Sequence, residues 1–266
     1  MKKILTFVAI CVSLLLNSQN KSEMSKAIDL ASIQRVLVQQ MAKDKLFIEV
    51  NNKTSVAEKE LEQAIISFEK NLETLKNLAP NKKIKHEIQE EEFAYRYYKH
   101  LILQTTKKSM HEIVDYNSVF LAICDDVVKE FTEQSFLKNT SKNEKYLAEN
   151  INKATSAAHR IKLLSQRLTL YYALNNFKFT KVETKKIQRM SMTIENKLNY
   201  LTLLEFNTLD IDDSLGELVF LWNLIKTKIS DDKEALPADE LFDLCNLVLN
   251  KAEITSELYL NLNKKT

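Results

Sequence analysis

IDLASIQRVLVQQMAK at Ile28–Lys43 and SAAHRIKLLSQRLTLYY at Ser156–Tyr172 are the two stretches that decide the fold of this chain. In both, apolar residues recur every three or four positions, which is typical of an amphipathic helix. The 266 residues include one glycine and two prolines, and 45% are hydrophobic. Because residues suited to tight turns are scarce and helix formers are abundant, the sequence predicts an all-α protein.

The same periodicity continues outward from these stretches and predicts about eight helices. We place them at 22–51, 55–78, 82–107, 110–138, 142–177, 181–208, 214–230 and 237–263. The starts are guided by capping boxes, in which a Ser or Thr caps the helix and a Glu three residues later caps back. The matches are Ser55/Glu58, Ser109/Glu112, Ser141/Glu144, Thr180/Glu183 and Ser214/Glu217. The connections are short, so successive helices are expected to be antiparallel neighbours.

The chain also repeats itself at nearly constant offsets. Gln39 corresponds to Gln166 at an offset of 127, and FEKNLETL at Phe68–Leu75 matches IENKLNYL at Ile194–Leu201 at an offset of 126. These offsets predict an internal duplication with two tandem antiparallel four-helix bundles, in residues 20–139 and 140–266. The alternative is one continuous array of eight helices, because the joint near 139–141 contains neither glycine nor proline.

Residues 1–19 have the layout of a secretory signal peptide, with a basic head, a 13-residue apolar run at Ile4–Leu16 and a polar end. The alternative is an uncleaved membrane anchor, but crossing hydrocarbon takes about 20 apolar residues. No later segment is that long and apolar, so we expect a periplasmic or secreted product with no membrane span after cleavage. Cys124 and Cys245 lie in apolar helical patterns and are expected to be buried free thiols, with a disulfide as the alternative.

The sequence lacks the motifs of several common catalytic and metal-binding sites. No histidine has a Glu three positions before it, as a di-iron bundle requires, and no H-E-x-x-H, C-x-x-C-H or glycine-rich phosphate loop is present. Without Lys2 and Lys3 the basic and acidic residues are equal in number, 36 of each, which argues against a nucleic-acid partner. We therefore expect no enzyme, no cofactor, no metal and no nucleic acid.

Basic and amide side chains within the two opening stretches are the candidates for binding. Arg35 lies on a helix face with small or apolar residues, and Gln39 follows one turn later. A guanidinium framed in this way can be approached closely by a planar anion and bind it in a bidentate geometry. The alternative is that Arg35 reaches solvent or pairs with a Glu of a neighbouring helix.

In the second stretch, Lys162 and Gln166 occupy the equivalent positions, and the same alternative holds for Lys162. Arg160 and Arg167 are seven residues apart and share another face of that helix. The predicted ligand-binding residues are Arg35, Gln39, Arg160, Lys162, Gln166 and Arg167.

The stretch Ile28–Lys43 resembles the repeated helix in the N-terminal sensing domain of type IV pili methyl-accepting chemotaxis transducers, with a pattern close to I-N-x-A-G-R-Q-R-M-L-S-Q-R-M-A-K. The matching residues are Ile28, Ala31, Gln34, Arg35, Leu37, Gln39, Met41, Ala42 and Lys43, and in the second stretch Ala158, Arg160, Leu164, Ser165, Gln166 and Arg167. The motif is similar to the helix with which nitrate and nitrite sensor kinases hold their anion. The resemblance puts Arg35 and Lys162 in the place of the anion-contacting arginine, while Ser32 and His159 replace a glycine.

The resemblance implies an exported sensory or ligand-binding module that takes a small anion, with a homodimer as one arrangement. Family members usually join this domain to membrane helices and a signalling domain, which do not follow here, so the signal is expected to pass through a protein partner in the envelope. The alternative is an envelope scaffold or interaction protein with no small ligand. That function predicts an exposed aromatic patch around Tyr95–Tyr98.

Overall fold

The structure, a computed structural model, describes the main chain of residues 2–104, 106–136, 142–230 and 236–265. This part of the chain forms eight α-helices and one 3-10 turn at Lys107–Ser109, without a β-strand, so the predicted all-α class is confirmed. The helices are α1 (Lys2–Glu49), α2 (Thr54–Leu78), α3 (Lys82–Gln104), α4 (Met110–Phe136), α5 (Lys142–Asn176), α6 (Thr184–Thr202), α7 (Leu209–Ser230) and α8 (Ala238–Lys265). The predicted joint at 139–140 and the cap residue Ser141 lie outside the described residues.

Three of the predicted helix caps, Ser55, Thr180 and Ser214, are wrong. Lys53, in the left-handed conformation at φ 53°, precedes α2, and Glu183 precedes α6; neither helix has a side-chain cap. Ser214 lies inside α7, where its hydroxyl is 2.9 Å from Thr255 Oγ1 of α8. The reason is that the S-x-x-E spacing also occurs within helices, where the hydroxyl has other partners.

α1 and α5 lie side by side in the middle of the molecule and run parallel. Asp29 Oδ1 is 2.7 Å from His159 Nε2 at one end of the contact. At the other end, the rings of Phe47 and Phe177 are 5.8 Å apart. α4 flanks α1 and α8 flanks α5, both antiparallel, as shown by the pairs Arg35–Asp125, Gln39–Asn117, Lys162–Glu253 and Gln166–Asn246.

Buried apolar side chains form two main clusters. The first is built from α1 to α4 and includes Leu170 and Phe242 from α5 and α8; the second is built from α5 to α8. A small third cluster, Val36, Leu121 and Leu163, lies between α1, α4 and α5. Apolar contact is therefore continuous across the α1–α5 interface. Cys124 and Cys245 are buried free thiols, as predicted.

The two halves of the chain share one register of buried positions. Ala64, Phe68, Leu72 and Leu75 in α2 are buried, and so are the residues 126 positions later in α6, which are Met190, Ile194, Leu198 and Leu201. In α3 and α7 the offset is 127, with Ile84, Ile88, Tyr95 and Tyr98 matching Ile211, Leu215, Trp222 and Ile225. This register pairs α1 with α5, α2 with α6, and α3 with α7, while the duplication into two tandem bundles stays a prediction. In the part of the chain that the structure describes, no helix has the length and apolarity needed to cross a membrane.

Candidate functional site

A partly open cavity of about 540 Å³ lies between α1 and α5 and is bordered by side chains of α4, α6 and α8. Its charged lining residues are Asp29 and Arg35 from α1, Glu149, Lys153 and Arg160 from α5, and Lys197 from α6. Its apolar lining includes Ile28, Val128, Ala157 and Leu260. The volume lies within the range of about 300–1,000 Å³ that small-molecule sites occupy, and a few polar groups among apolar walls are typical of such sites.

Arg160 lines the cavity as a partly buried cation. Its side chain is half-buried, and it forms no ion pair with any residue in the described ranges. Burial lowers the pKa of the Arg160 guanidinium, the nearby Arg35 lowers it further, Asp125 raises it, and Arg167 lowers it. Three guanidinium groups therefore lie near one another with a single carboxylate among them.

Arg35 is held in place by α4. Its Nη1 donates to Asp125 Oδ1 at 2.8 Å, and the Arg35 side chain is 12% exposed. Its Nε is buried and has no hydrogen-bond partner. Arg35 thus pairs with a carboxylate of a neighbouring helix, which was the alternative prediction.

His159 and Asp29 also line the cavity. The imidazole is buried, and although its Nε2 is 2.7 Å from Asp29 Oδ1, neither ring nitrogen has an aligned hydrogen-bond partner. Burial lowers the pKa of His159 to about 4, with the charge of Lys162 acting in the same direction and Asp29 opposing it. His159 is therefore neutral at pH 7. Asp29 also acts on Lys162, where it opposes the fall in the pKa of that ammonium group caused by burial.

Lys162 faces away from the cavity, toward α8. Its ammonium group forms an ion pair with Glu253 and lies 3.2 Å from Ser256 Oγ, and the Lys162 side chain is 1% exposed. Pairing with a Glu of a neighbouring helix, the alternative prediction for Lys162, is confirmed. The pair occupies the same place in the second half as Arg35–Asp125 in the first, since the cations are 127 residues apart and the carboxylates 128.

Gln39 and Gln166 are buried between helices. Gln39 Nε2 donates to Asn117 Oδ1 at 2.6 Å, and Asn117 Nδ2 donates to Tyr98 OH at 2.8 Å. Gln166 Nε2 lies 3.4 Å from Asn246 Oδ1. Both glutamines therefore connect the first helix of a half to the fourth, and neither lines the cavity.

Arg167 lies on the same side of α5 as Arg160 but outside the cavity. Its Nη2 donates to the Tyr171 hydroxyl at 2.8 Å, and the guanidinium lies 5.2 Å from the centre of the Tyr171 ring. Of the six predicted residues, the structure brings Arg35 and Arg160 to the cavity and places Arg167 beside it. Asp29, His159 and Lys197 were missed, because isolated polar residues in a helical pattern look like solvated positions.

The prediction also missed a buried charged cluster at the far end of the α1–α5 interface. Lys43 Nζ donates to Glu60 Oε2 at 3.0 Å and to Asn246 Oδ1 at 2.9 Å, and it lies 3.9 Å from the centre of the Phe242 ring. The neighbouring Asp44 carboxyl is fully buried; burial raises its pKa to about 8, Lys43 opposes this shift, and Glu60 adds to it. The cluster joins α1 and α2 to α8. Lys43 belongs to the motif match, which was the available hint in the sequence.

Within the described ranges, no group of three or more His, Cys, Asp or Glu side chains is placed to hold a metal ion. Comparisons with protein-family models, with curated proteins and with solved structures gave no match. The resemblance to transducer sensing domains therefore stays a prediction that rests on the α1 and α5 motifs.

Proposed function

We propose that the chain is an exported, non-enzymatic helical sensory module that binds a small anion in the cavity between α1 and α5. The observation that carries the proposal is the half-buried Arg160 guanidinium, which lines the cavity without an ion-pair partner among the described residues. Partial burial of an unpaired charge costs free energy, and an anionic ligand offsets that cost. Arg35, a second arginine, lines the same cavity.

Binding at this position gives the ligand an influence on the packing of the two central helices. Arg35 belongs to α1 and Arg160 to α5, so an anion that contacts both stabilises one arrangement of these helices over others. This is the physical basis on which we propose a sensory role in the periplasm, with the change passed to a protein partner in the envelope. The resemblance of the α1 motif to chemotaxis-transducer sensing domains supports the same role.

The test is a thermal-shift and calorimetric screen of residues 20–266 with nitrate, nitrite, acetate and other small carboxylates. An anion present at 100 times its Kd is expected to raise Tm by roughly 5–10 °C in a chain of this size. Arg160→Gln and Arg35→Ala are expected to abolish the shift. Arg96→Gln is the matched control, because that arginine lies on α3, 74% exposed, and is absent from the cavity. If no anion shifts Tm, the proposal is wrong.

A second candidate function, an envelope interaction protein, is favoured by exposed apolar side chains at matched positions of α3 and α7. Phe93 is 74% exposed and Phe220, at an offset of 127, is 62% exposed. Tyr97 and Leu224, one turn later, are also exposed. Tyr95 is buried, so the predicted Tyr95–Tyr98 patch is reduced to part of this face. Light scattering of the wild type and the Phe93→Ala/Phe220→Ala variant tests whether the face mediates the predicted homodimer.

A further inference from the structure

The cavity carries charges of both signs, and a simple inorganic anion uses only one of them. Arg160 and Arg35 line it, and so does Asp29, whose side chain is 19% exposed. Nitrate on the arginines makes no use of the Asp29 carboxylate or of the apolar walls at Ile28 and Leu260. The lining therefore fits a ligand with a positive group and an apolar part in addition to its negative group.

We propose that the cavity binds a free α-amino acid with an apolar side chain, its carboxylate on Arg160 and Arg35 and its ammonium group on Asp29. The proposal rests on the proposed function and specifies its ligand class. The apolar side chain of the amino acid packs against Ile28 and Leu260, which lie in the wall of the same cavity.

The state of Asp29 supports the ammonium contact. Asp29 forms no ion pair with a Lys or Arg within the described ranges, and its near neighbour, His159, is neutral because burial depresses the pKa of the imidazole. The contact at 2.7 Å holds the Asp29 side chain against α5. A partly buried carboxylate of this kind gains from a desolvated cationic partner.

The placement of the charges supports a small zwitterion. Asp29 Oδ1 is 2.7 Å from His159 Nε2, and Arg160 is the next residue of α5, so Asp29 and Arg160 line the cavity at the same level of α5. The ammonium and carboxylate groups of an amino acid are attached to the same carbon, so one small ligand presents both charges at one level of the cavity.

The experiment is isothermal titration of residues 20–266 with the twenty standard L-amino acids, followed by a matched set of three probes. L-Leucine carries both charges, 4-methylpentanoate lacks its ammonium group, and 3-methylbutylamine lacks its carboxylate. We expect apolar amino acids, including leucine, to bind, 4-methylpentanoate to bind about 10-fold more weakly than leucine, and the amine not to bind.

Variants separate the two charges. Asp29→Asn is expected to lower leucine affinity about 10-fold and to leave 4-methylpentanoate affinity unchanged, which also shows that the variant is folded. Arg160→Gln is expected to lose both ligands. Asp126→Asn is the control, since that exposed carboxylate has the same charge change outside the cavity.

Equal affinity for leucine and 4-methylpentanoate, or binding of simple anions but of no amino acid, overturns this inference and leaves the proposed function standing. Binding of the amine as tight as that of leucine overturns both, because the arginines then play no part. Failure of every amino acid and every anion likewise removes both.

Discussion

A buried glutamate in α3 gives the strongest stability prediction. The Glu91 side chain is fully buried, and neither carboxyl oxygen accepts an aligned hydrogen bond from the described residues. Burial raises its pKa from an ordinary value of 4.5 to about 8, with the adjacent Cys124 thiol opposing the shift. Glu91→Gln keeps the shape and removes the ionisation, so it isolates the free energy linked to this proton.

The sign follows from proton binding in the two states. Below pH 4.5 the carboxyl is protonated in both, whereas between pH 4.5 and about 8 the unfolded chain releases the proton and the folded chain keeps it. The free energy of unfolding therefore falls with rising pH in this window, by about 1.4 kcal/mol per pH unit. Integrated from pH 5 to pH 7, the loss for wild type is roughly 2–3 kcal/mol, which Glu91→Gln is expected to recover.

The assay is urea unfolding of both proteins at pH 5, 6 and 7, followed by circular dichroism, with the variant-minus-wild-type difference compared across pH. Asp44 titrates in both proteins, so its effect cancels in this difference. The control is Glu92→Gln at the next position, where Lys76 and Arg96 lower the pKa and the pair is partly exposed. At pH 7, Glu92→Gln should lower the free energy of unfolding by no more than about 1 kcal/mol. A Glu91→Gln difference that is the same at pH 5 and pH 7 refutes the reasoning, because Glu91 then ionises as in water.

Two further predictions concern the second half. Glu253→Gln is expected to lower the free energy of unfolding by about 3 kcal/mol, because the Lys162 side chain, 1% exposed, loses its ion-pair partner. Lys162→Met is expected to lower it by less, since Glu253 is 41% exposed and stays hydrated. Urea unfolding in which Lys162→Met is the more damaging change contradicts this prediction. Trp222, the single tryptophan, is buried in the second cluster. The first cluster includes residues of α5 and α8, so the two halves are expected to unfold together. The fluorescence of Trp222 is then expected to give the same urea midpoint as circular dichroism. Two separate midpoints would favour independent bundles.

The periodicity of apolar residues was enough to predict most of the helices. A buried position depends on its own helix face, so stripes such as Phe68–Leu72–Leu75 were readable without knowing the partner helix. Helix starts were harder to predict, because side-chain and backbone groups compete for the same hydrogen bonds at the end of a helix. Ser214 has the spacing of a cap, yet its hydroxyl lies against Thr255 of a helix 41 residues later.

The site was less predictable because its residues depend on which helices meet. The helical spacing put Arg160 and Lys162 on different faces of α5, and the structure shows them facing the cavity and α8 respectively. Nothing in the sequence indicated that Asp29 would meet His159 across 130 residues, since neither has a distinctive neighbour. A contact between two distant helices is set by their packing, which the periodicity of each helix alone does not determine.

Comparison of the two halves distinguishes the charged residues that join helices within each half from those that line the cavity. Arg35–Asp125 and Lys162–Glu253 occupy equivalent places and join the first helix of each half to the fourth, so an ion pair here belongs to the architecture of both halves. Asp29 and Arg160 have no such counterpart, because Ser156 and Ile33 stand at the corresponding positions. A feature kept in only one half is not required by the bundle itself. The unmatched charges therefore define the cavity, and Arg160 and Asp29, more than Arg35, are the residues on which its ligand preference depends.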